Sequence, residues 1–205
     1  MANEAQPALS YWLLDEFLVA QEWNSLLQFT FDRAASFAQT GVLSANGASA
    51  IDPTYRKSRV LFELEGFGPL FVDRIMRFLP QVLRRINYPW FPVRHVELQL
   101  TESNTGDFFR VHSDNHSNAV RSRAVTFVYY YHREPKPFQG GELNLWATRY
   151  EGDTPIAEGE PRVIPPAQNQ MIFFPSEYLH EVRPVHSASG QFADSRFTVN
   201  GWLHR

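Results

Sequence analysis

The chain has 205 residues, 43% hydrophobic and 15% aromatic, which is ample material for one buried core. Its formal charge of −3 holds no basic excess, so neither nucleic acid nor an anionic membrane is expected as a partner. The absence of cysteine excludes disulfides, thiolate metal sites and cysteine nucleophiles, and fits a reducing cytoplasm.

Met1–Leu9 has no Lys or Arg and no long apolar run, so it does not read as a secretory signal. No apolar stretch nears the roughly 18 residues that cross a bilayer. Tyr11–Phe17 is a short apolar run suited to an edge strand. Over Ala20–Phe37, Trp23, Leu26, Leu27, Phe31 and Ala34 recur at helical spacing. Gly41–Arg59, rich in Gly, Ser, Ala and Asn, reads as a long loop of the kind that serves as a lid or binding loop. A second helix begins near Pro69 and ends at Asn87-Tyr88-Pro89, and Pro80 is expected to kink or split it.

From Val93 the period changes to two. Val96, Leu98 and Leu100 alternate with Glu97 and Gln99, as in a half-buried strand. Further strands are expected at Asp107–His112, Ala124–Tyr131, Gly141–Trp146, Gln170–Phe174, Glu181–Val185 and Arg196–Leu203. Ala124–Tyr131 is apolar on both faces and reads as a central strand. Helices followed by short strands predict an α+β fold with a sandwich or barrel. We read 1–205 as one domain, with 1–92 as helical support and lid loop and 93–205 as the β-rich core.

His112-Ser113-Asp114, answered by His180, carries the chemistry. A His and a carboxylate two apart on a strand share a face. With a second His they leave open positions on a metal, the ligand pattern of non-haem Fe(II) oxygenases. His180 follows the apolar run Met171–Pro175, at the end of a buried strand. Arg196 shares one face of its strand with Thr198, Asn200 and Trp202, and an inward Arg there needs an anion. Thr126, Val128 and Tyr130 share a face of the central strand, where the Tyr hydroxyl can hydrogen-bond a carboxylate. His116 is a rival ligand in a polar loop. Arg56, Lys57 and Arg59 can meet an acidic substrate or stay solvated.

In this order the residues resemble the 2-oxoglutarate/Fe(II)-dependent dioxygenases, in their prolyl-hydroxylase-like branch. The resemblance is carried by Gly106–Asp114, by Arg123–Tyr131 with Gly140-Gly141-Glu142-Leu143, by Phe173–Val185 around His180, and by Arg196–Trp202. It covers roughly residues 93–205.

The resemblance implies a double-stranded β-helix, a jelly-roll or cupin-like barrel buttressed by the N-terminal helices. It implies Fe(II) on His112, Asp114 and His180, which are then the catalytic centre. It implies 2-oxoglutarate held by Arg196 and Tyr130, with Thr126 and Asn200 nearby, and Arg123 and Trp202 on the substrate side. Cofactor and co-substrates are then Fe(II), 2-oxoglutarate and O2, with ascorbate as a supporting reductant. The reaction is hydroxylation of an unactivated C–H, such as that of a prolyl residue, with release of succinate and CO2. Many relatives have Tyr where this chain has Phe109 and Glu102. A carboxylate at Asp114 argues against halogenation.

Two other readings stand beside it. One is a tailoring oxygenase acting on a free amino acid or other small molecule, which needs a closed pocket with its own charge pair. A peptidyl substrate instead needs a groove flanked by the Gly41–Arg59 loop. The other is a cupin-like module that binds or senses a metal or ligand without turnover.

Overall fold

Long stretches of two-residue alternation build the centre of the molecule, described by a computed structural model over residues 9–43 and 49–205. The first part runs β1 (Trp12–Leu14), α1 (Ala20–Asp32), β2 (Ala38–Gln39), β3 (Val42–Leu43), β4 (Ser49–Ala50), β5 (Arg56–Lys57), β6 (Arg59–Leu61) and α2 (Phe67–Arg85). The second runs β7 (His95–Ser103), β8 (Phe108–His112), β9 (Arg123–Tyr131), β10 (Phe138–Gly140), β11 (Leu143–Glu151) and β12 (Thr154–Ile164). It ends with β13 (Gln170–Pro175), β14 (His180–Val182), β15 (Val185–Ser187) and β16 (Arg196–His204).

A seven-stranded sheet has the order β1-β13-β9-β16-β7-β6-β2, and a five-stranded sheet the order β12-β11-β14-β8-β5. The strand pairings within both are antiparallel. Among the described residues the sheets stay separate and do not close into one barrel. This is the double-stranded β-helix, and with two helices it makes the chain α+β.

Alternation divides the large sheet into two faces. Val125, Phe127, Tyr129 and Tyr131 of β9 and Phe197, Val199 and Leu203 of β16 lie in one buried cluster with Leu26 and Leu27 of α1 and Phe71, Ile75, Leu79 and Val82 of α2. Burying each such side chain is worth about 1.5–3 kcal/mol, so this layer supplies much of the fold's stability. Thr30 Oγ1 on α1 lies 2.7 Å from the Tyr131 hydroxyl, satisfying two polar groups at that buried seam. The opposite face of the large sheet looks toward the small one. There Tyr130, Ile172 and Phe174 pack with Leu143 and Leu145 of β11. Register sets Thr126, Val128 and Tyr130 beside Trp202, Asn200 and Thr198, making one inner row from two strands.

β1 is an edge strand and β9 is interior to the sheet, as the sequence predicts. Several expectations are corrected. The first helix stops at Asp32 and a 3-10 turn over Ala34–Ser36 follows, because Phe37 turns extended to pack against Phe192. The second helix is assigned continuously through Pro80 and is not split. Pro80 is on the exposed face, where water can take the carbonyl it leaves unbonded, while Ile75, Leu79, Val82 and Leu83 anchor the helix on both sides.

The Gly41–Arg59 stretch is less irregular than expected. Val42–Leu43 pairs with Ser49–Ala50, and β5 and β6 join opposite sheets. Residues 44–48 of that loop, and residues 1–8 of the N-terminal reading, lie outside the described residues. The eleven-residue β12 has no counterpart in the sequence reading. Pro155, Gly159 and Pro161 argue against a strand, yet β12 is the sheet's edge, where Pro costs no ladder bond on its free side. β11 extends past Trp146 to pair with it.

Candidate active site

His112 and His180 are directly opposite each other across the β8–β14 pair, with ring centroids 4.2 Å apart. Asp114 joins them, with Oδ1 3.6 Å from His112 Nε2 and Oδ2 3.4 Å from His180 Nε2. The three ligand atoms all lie within 4.8 Å of one another. Two inferences about their placement need correction. Asp114 is not on the strand with His112 but in the turn after it, held by its N–H donating to the Ser176 carbonyl at 2.9 Å. His180 does not end the Met171–Pro175 strand; it opens β14 on the opposite sheet.

Each ring is fixed from behind. His112 Nδ1 lies 2.7 Å from the Arg110 carbonyl, and His180 Nδ1 lies 2.9 Å from that of Tyr178. A carbonyl only accepts, so each Nδ1 carries a proton and each Nε2 is turned toward its partners. Burial, reinforced by His180, pushes the His112 pKa down to about 3, against the pull of Asp114, so the imidazole is neutral at physiological pH. Burial alone would raise the Asp114 pKa, but the two imidazoles and Thr126 hold it below the usual carboxylate value. Thr126 Oγ1 donates to Asp114 Oδ2 at 2.7 Å and lies 2.9 Å from Ser176 Oγ. The Trp202 indole N–H also draws the Asp114 pKa down, although it makes no hydrogen bond of ordinary geometry. Two imidazoles, that of His112 held neutral, and an ionised carboxylate, aimed at one point and braced by backbone, fit a divalent iron.

The same inter-sheet cavity, about 80 Å³, continues to Arg196. Arg196 and Tyr130 are both buried, and Arg196 Nε and the Tyr130 hydroxyl have no hydrogen-bond partner. The Arg196 guanidinium lies over the Tyr130 ring at 5.1 Å. Burial pulls its pKa down while Tyr130 and Glu142 support its charge; burial pushes the Tyr130 phenol up to about 12, keeping it a donor. Asp194, the sequence-adjacent carboxylate, is engaged with Arg133 and Ser189 instead. A buried guanidinium on the cavity wall, with the Tyr130 ring beside it and no carboxylate partner among the described residues, fits the far carboxylate of a dicarboxylic acid. Asn200 accepts from Thr101 Oγ1 at 2.7 Å on the same wall.

The cavity opens into a cleft of about 590 Å³. Thr40, Gly41, Asp52, Tyr55, Val60 and Phe62 wall one side, so the loop region flanks it. Arg123 and Trp202 stand on the wall from the large sheet, the guanidinium 3.6 Å from the indole centroid. Arg123 also bonds both carboxylate oxygens of Glu97 at 2.8 Å. Phe109, where the resemblance leads one to expect Tyr, stacks on the His112 ring at 3.6 Å and 20°. Glu102, the other departure, is buried against Arg59 and Ser195, away from His112, Asp114 and His180. His116 bonds the Ser113 carbonyl through Nδ1 and lies outside the three-ligand group.

Sequence reasoning gave no site role to Ser176, Gln99 or Thr101, and took Gly141 only as part of a motif. Gln99 and Thr101 carried a signal, since they share the polar phase of β7; that phase faces the cavity rather than solvent. Ser176 sits in the turn after β13, and nothing in the sequence ties it to Asp114.

Comparison with known proteins agrees with this geometry. Residues 98–204 match the family described as the 2OG-Fe(II) oxygenase superfamily. A protein of Synechocystis sp. named an uncharacterized PKHD-type hydroxylase is 35% identical over 198 residues, covering 96% of this chain. The chain spans 63% of the length of that relative. The structure of a Pseudomonas putida prolyl-4-hydroxylase matches with a TM-score of 0.70 at 19% identity, covering 97% of this chain and 94% of that one. A Trichoplax adhaerens prolyl hydroxylase, solved with a hypoxia-inducible-factor peptide, matches with a TM-score of 0.66 at 17% identity, covering 96% and 84%.

Proposed function

Because this chain belongs to the 2OG-Fe(II) oxygenase superfamily, whose name implies Fe(II), 2-oxoglutarate and O2, we propose that it is a hydroxylase acting on an unactivated C–H bond of a peptide. The balance is one substrate C–H, one O2 and one 2-oxoglutarate in, and one C–OH, one succinate and one CO2 out. His112, Asp114 and His180 are the residues we assign to iron, which when bound supplies the activation of O2. Arg196 and Tyr130 are assigned to the 2-oxoglutarate carboxylate, with Asn200 beside them and Thr126 holding Asp114. Arg123 and Trp202 are assigned to the substrate wall.

One observation carries this reading: a cluster of three metal-competent side chains shares a buried cavity with an arginine that has no carboxylate partner among the described residues. A sensing module needs no such arginine beside open coordination positions. The open cleft beside that cavity, flanked by the loop region, favours a peptide over a free amino acid, which would be enclosed. The prolyl hydroxylases of similar fold make a prolyl residue the first candidate. In this arrangement the chain up to residue 92 buttresses and walls the cleft, and residues 93–205 carry the chemistry of one domain. A reducing compartment, the cytoplasm, suits a chain without cysteine; no helix of the described residues is long and apolar enough to cross a membrane.

The test is a succinate-coupled screen of prolyl peptides and free amino acids with added Fe(II), 2-oxoglutarate and O2. Turnover is expected with peptides and is expected to vanish in His180→Ala. Full activity without His180 would refute the iron assignment, and turnover of free amino acids alone would refute the peptide assignment.

A further inference from the structure

Six residues wall both the buried cavity and the open cleft: Arg56, Gln99, Phe109, His112, Asp114 and Trp202. Any substrate carbon that reaches the iron ligands passes between them. Three of them are already engaged with one another, and Trp202 carries Arg123 on its face. Gln99 is left with a buried Nε2 that has no partner, and Arg56 with a guanidinium that no carboxylate among the described residues pairs.

Arg56 is one of three basic residues on β5 and β6. The other two have carboxylates: Lys57 pairs with Asp107 at 3.1 Å, and Arg59 with Glu102 at 2.8 Å. Arg56 donates from Nε to Ser58 Oγ at 3.2 Å and lies 4.6 Å over the Phe109 ring. Among the described residues no carboxylate is within salt-bridge distance of it. Phe109 in turn stacks on His112, so guanidinium, phenyl and imidazole form one pile leading to the metal ligands.

Register makes the pile possible, since Arg56 is opposite Phe109 in the β5–β8 pair. Burial pulls the Arg56 pKa to about 10, partly offset by Asp114 and deepened by Arg123, and the side chain stays charged at neutral pH. A cation–π contact offsets only part of the cost of drawing such a charge out of water. Across the throat on β7, Gln99 Nε2 is buried with no partner. The net charge of −3 gives no long-range attraction for anions, so recognition of one must be local.

We propose that Arg56, seated on Phe109 and faced by Gln99, recognises a carboxylate of the substrate next to the C–H bond that reacts. The substrate class is then an acidic peptide, with Asp, Glu or a chain terminus beside the target residue. This inference rests on the peptide-hydroxylase reading and narrows its substrate.

Three pools of N-acetylated random hexapeptides test it. The first contains Asp and Glu with amidated C-termini. The second replaces these by Asn and Gln. The third is the second pool with free C-termini. Retention on immobilised protein, loaded with Fe(II) and 2-oxoglutarate under nitrogen, is read by mass spectrometry. Oxygen is then admitted and hydroxylated peptides are counted.

We expect the first or third pool to be retained about tenfold or more over the second, as for loss of a charged hydrogen bond. In Arg56→Gln that ratio should fall to near one, and in Arg56→Lys, which keeps the charge but loses the planar fork and its seat on Phe109, it should fall only part of the way. Circular dichroism and the melting point establish that both variants fold. Equal retention of all pools by the wild type overturns the inference, as does a ratio unchanged in Arg56→Gln. A raised 2-oxoglutarate KM in Arg56→Gln with unchanged pool selectivity assigns Arg56 to the co-substrate and also overturns it. Hydroxylation without acidic preference leaves the hydroxylase reading standing alone. Arg56-dependent retention without hydroxylation leaves the carboxylate site standing and removes the hydroxylase.

Discussion

A β-carbon on Gly141 would lie 2.6 Å from Cδ of Arg196. The loop entering β11 thus runs directly against the arginine stem, at φ +70° where a side chain is strained in any case. Arg196 keeps its direction because residue 141 has no side chain. Gly141→Ala should lower stability by about 1 kcal/mol or more from backbone strain. It should also displace the guanidinium and raise the KM for 2-oxoglutarate more than it lowers kcat. A melting curve with steady-state kinetics checks both, and an unchanged KM would show that Arg196 does not hold the co-substrate.

Arg196 itself is open to a sharper substitution. Its planar fork suits a carboxylate in a way that an ammonium does not. Arg196→Lys keeps the charge and is expected to raise the 2-oxoglutarate KM by roughly tenfold or more, the scale of one charged hydrogen bond. Lysine serving equally well in the succinate assay would count against two-point contact.

Thr126→Val keeps volume and removes the 2.7 Å bond to Asp114. Partners of this kind behind metal ligands are worth about 10–100-fold in metal affinity. Titration with Fe(II) under nitrogen, or with Mn(II), should show weakening on that scale, with Thr126→Ser retaining affinity. Equal affinity in the valine variant would mean that Ser176 and the backbone suffice to aim the carboxylate.

Metal-free protein should lose stability on mild acidification. His112 has a folded pKa lowered to about 3, while the unfolded residue titrates near 6.5. Between those values the unfolded chain takes a proton that the folded site refuses, so unfolding becomes easier as pH falls through the window. The slope from this residue is at most about 1.4 kcal/mol per pH unit. Above 6.5 the imidazole is neutral in both states and contributes nothing. Asp114, lowered in the folded state, acts only nearer pH 4 and below, where its stabilising charge is lost. Urea unfolding at pH 6.5 and 5 should therefore give a flatter dependence in His112→Leu than in the wild type. Parallel slopes would show that His112 is accessible to protons.

The sequence by itself determined the core strands β7, β9, β13 and β16 and the phase of their faces. Period-two alternation in Val125–Tyr131 and Arg196–Leu203 is a local property, so it told which residues point to one side before any partner was known. The ordered motifs around His112, His180 and Arg196 told the family for the same reason. Proline statistics misled at Pro80 and in β12, because helix continuity and edge position are decided by what packs or pairs alongside.

What only the tertiary structure decided is which inner faces meet. His180 reaches His112 because β14 crosses to the other sheet, and Ser176 and Thr126 find Asp114 because two turns converge. Lys57 and Arg59 are neutralised while Arg56 is not, since each faces a different neighbour on strands that join opposite sheets. Such contacts join residues far apart in the chain. Their formation depends on sheet order and register, which are set by the burial of the whole core rather than by any segment of it.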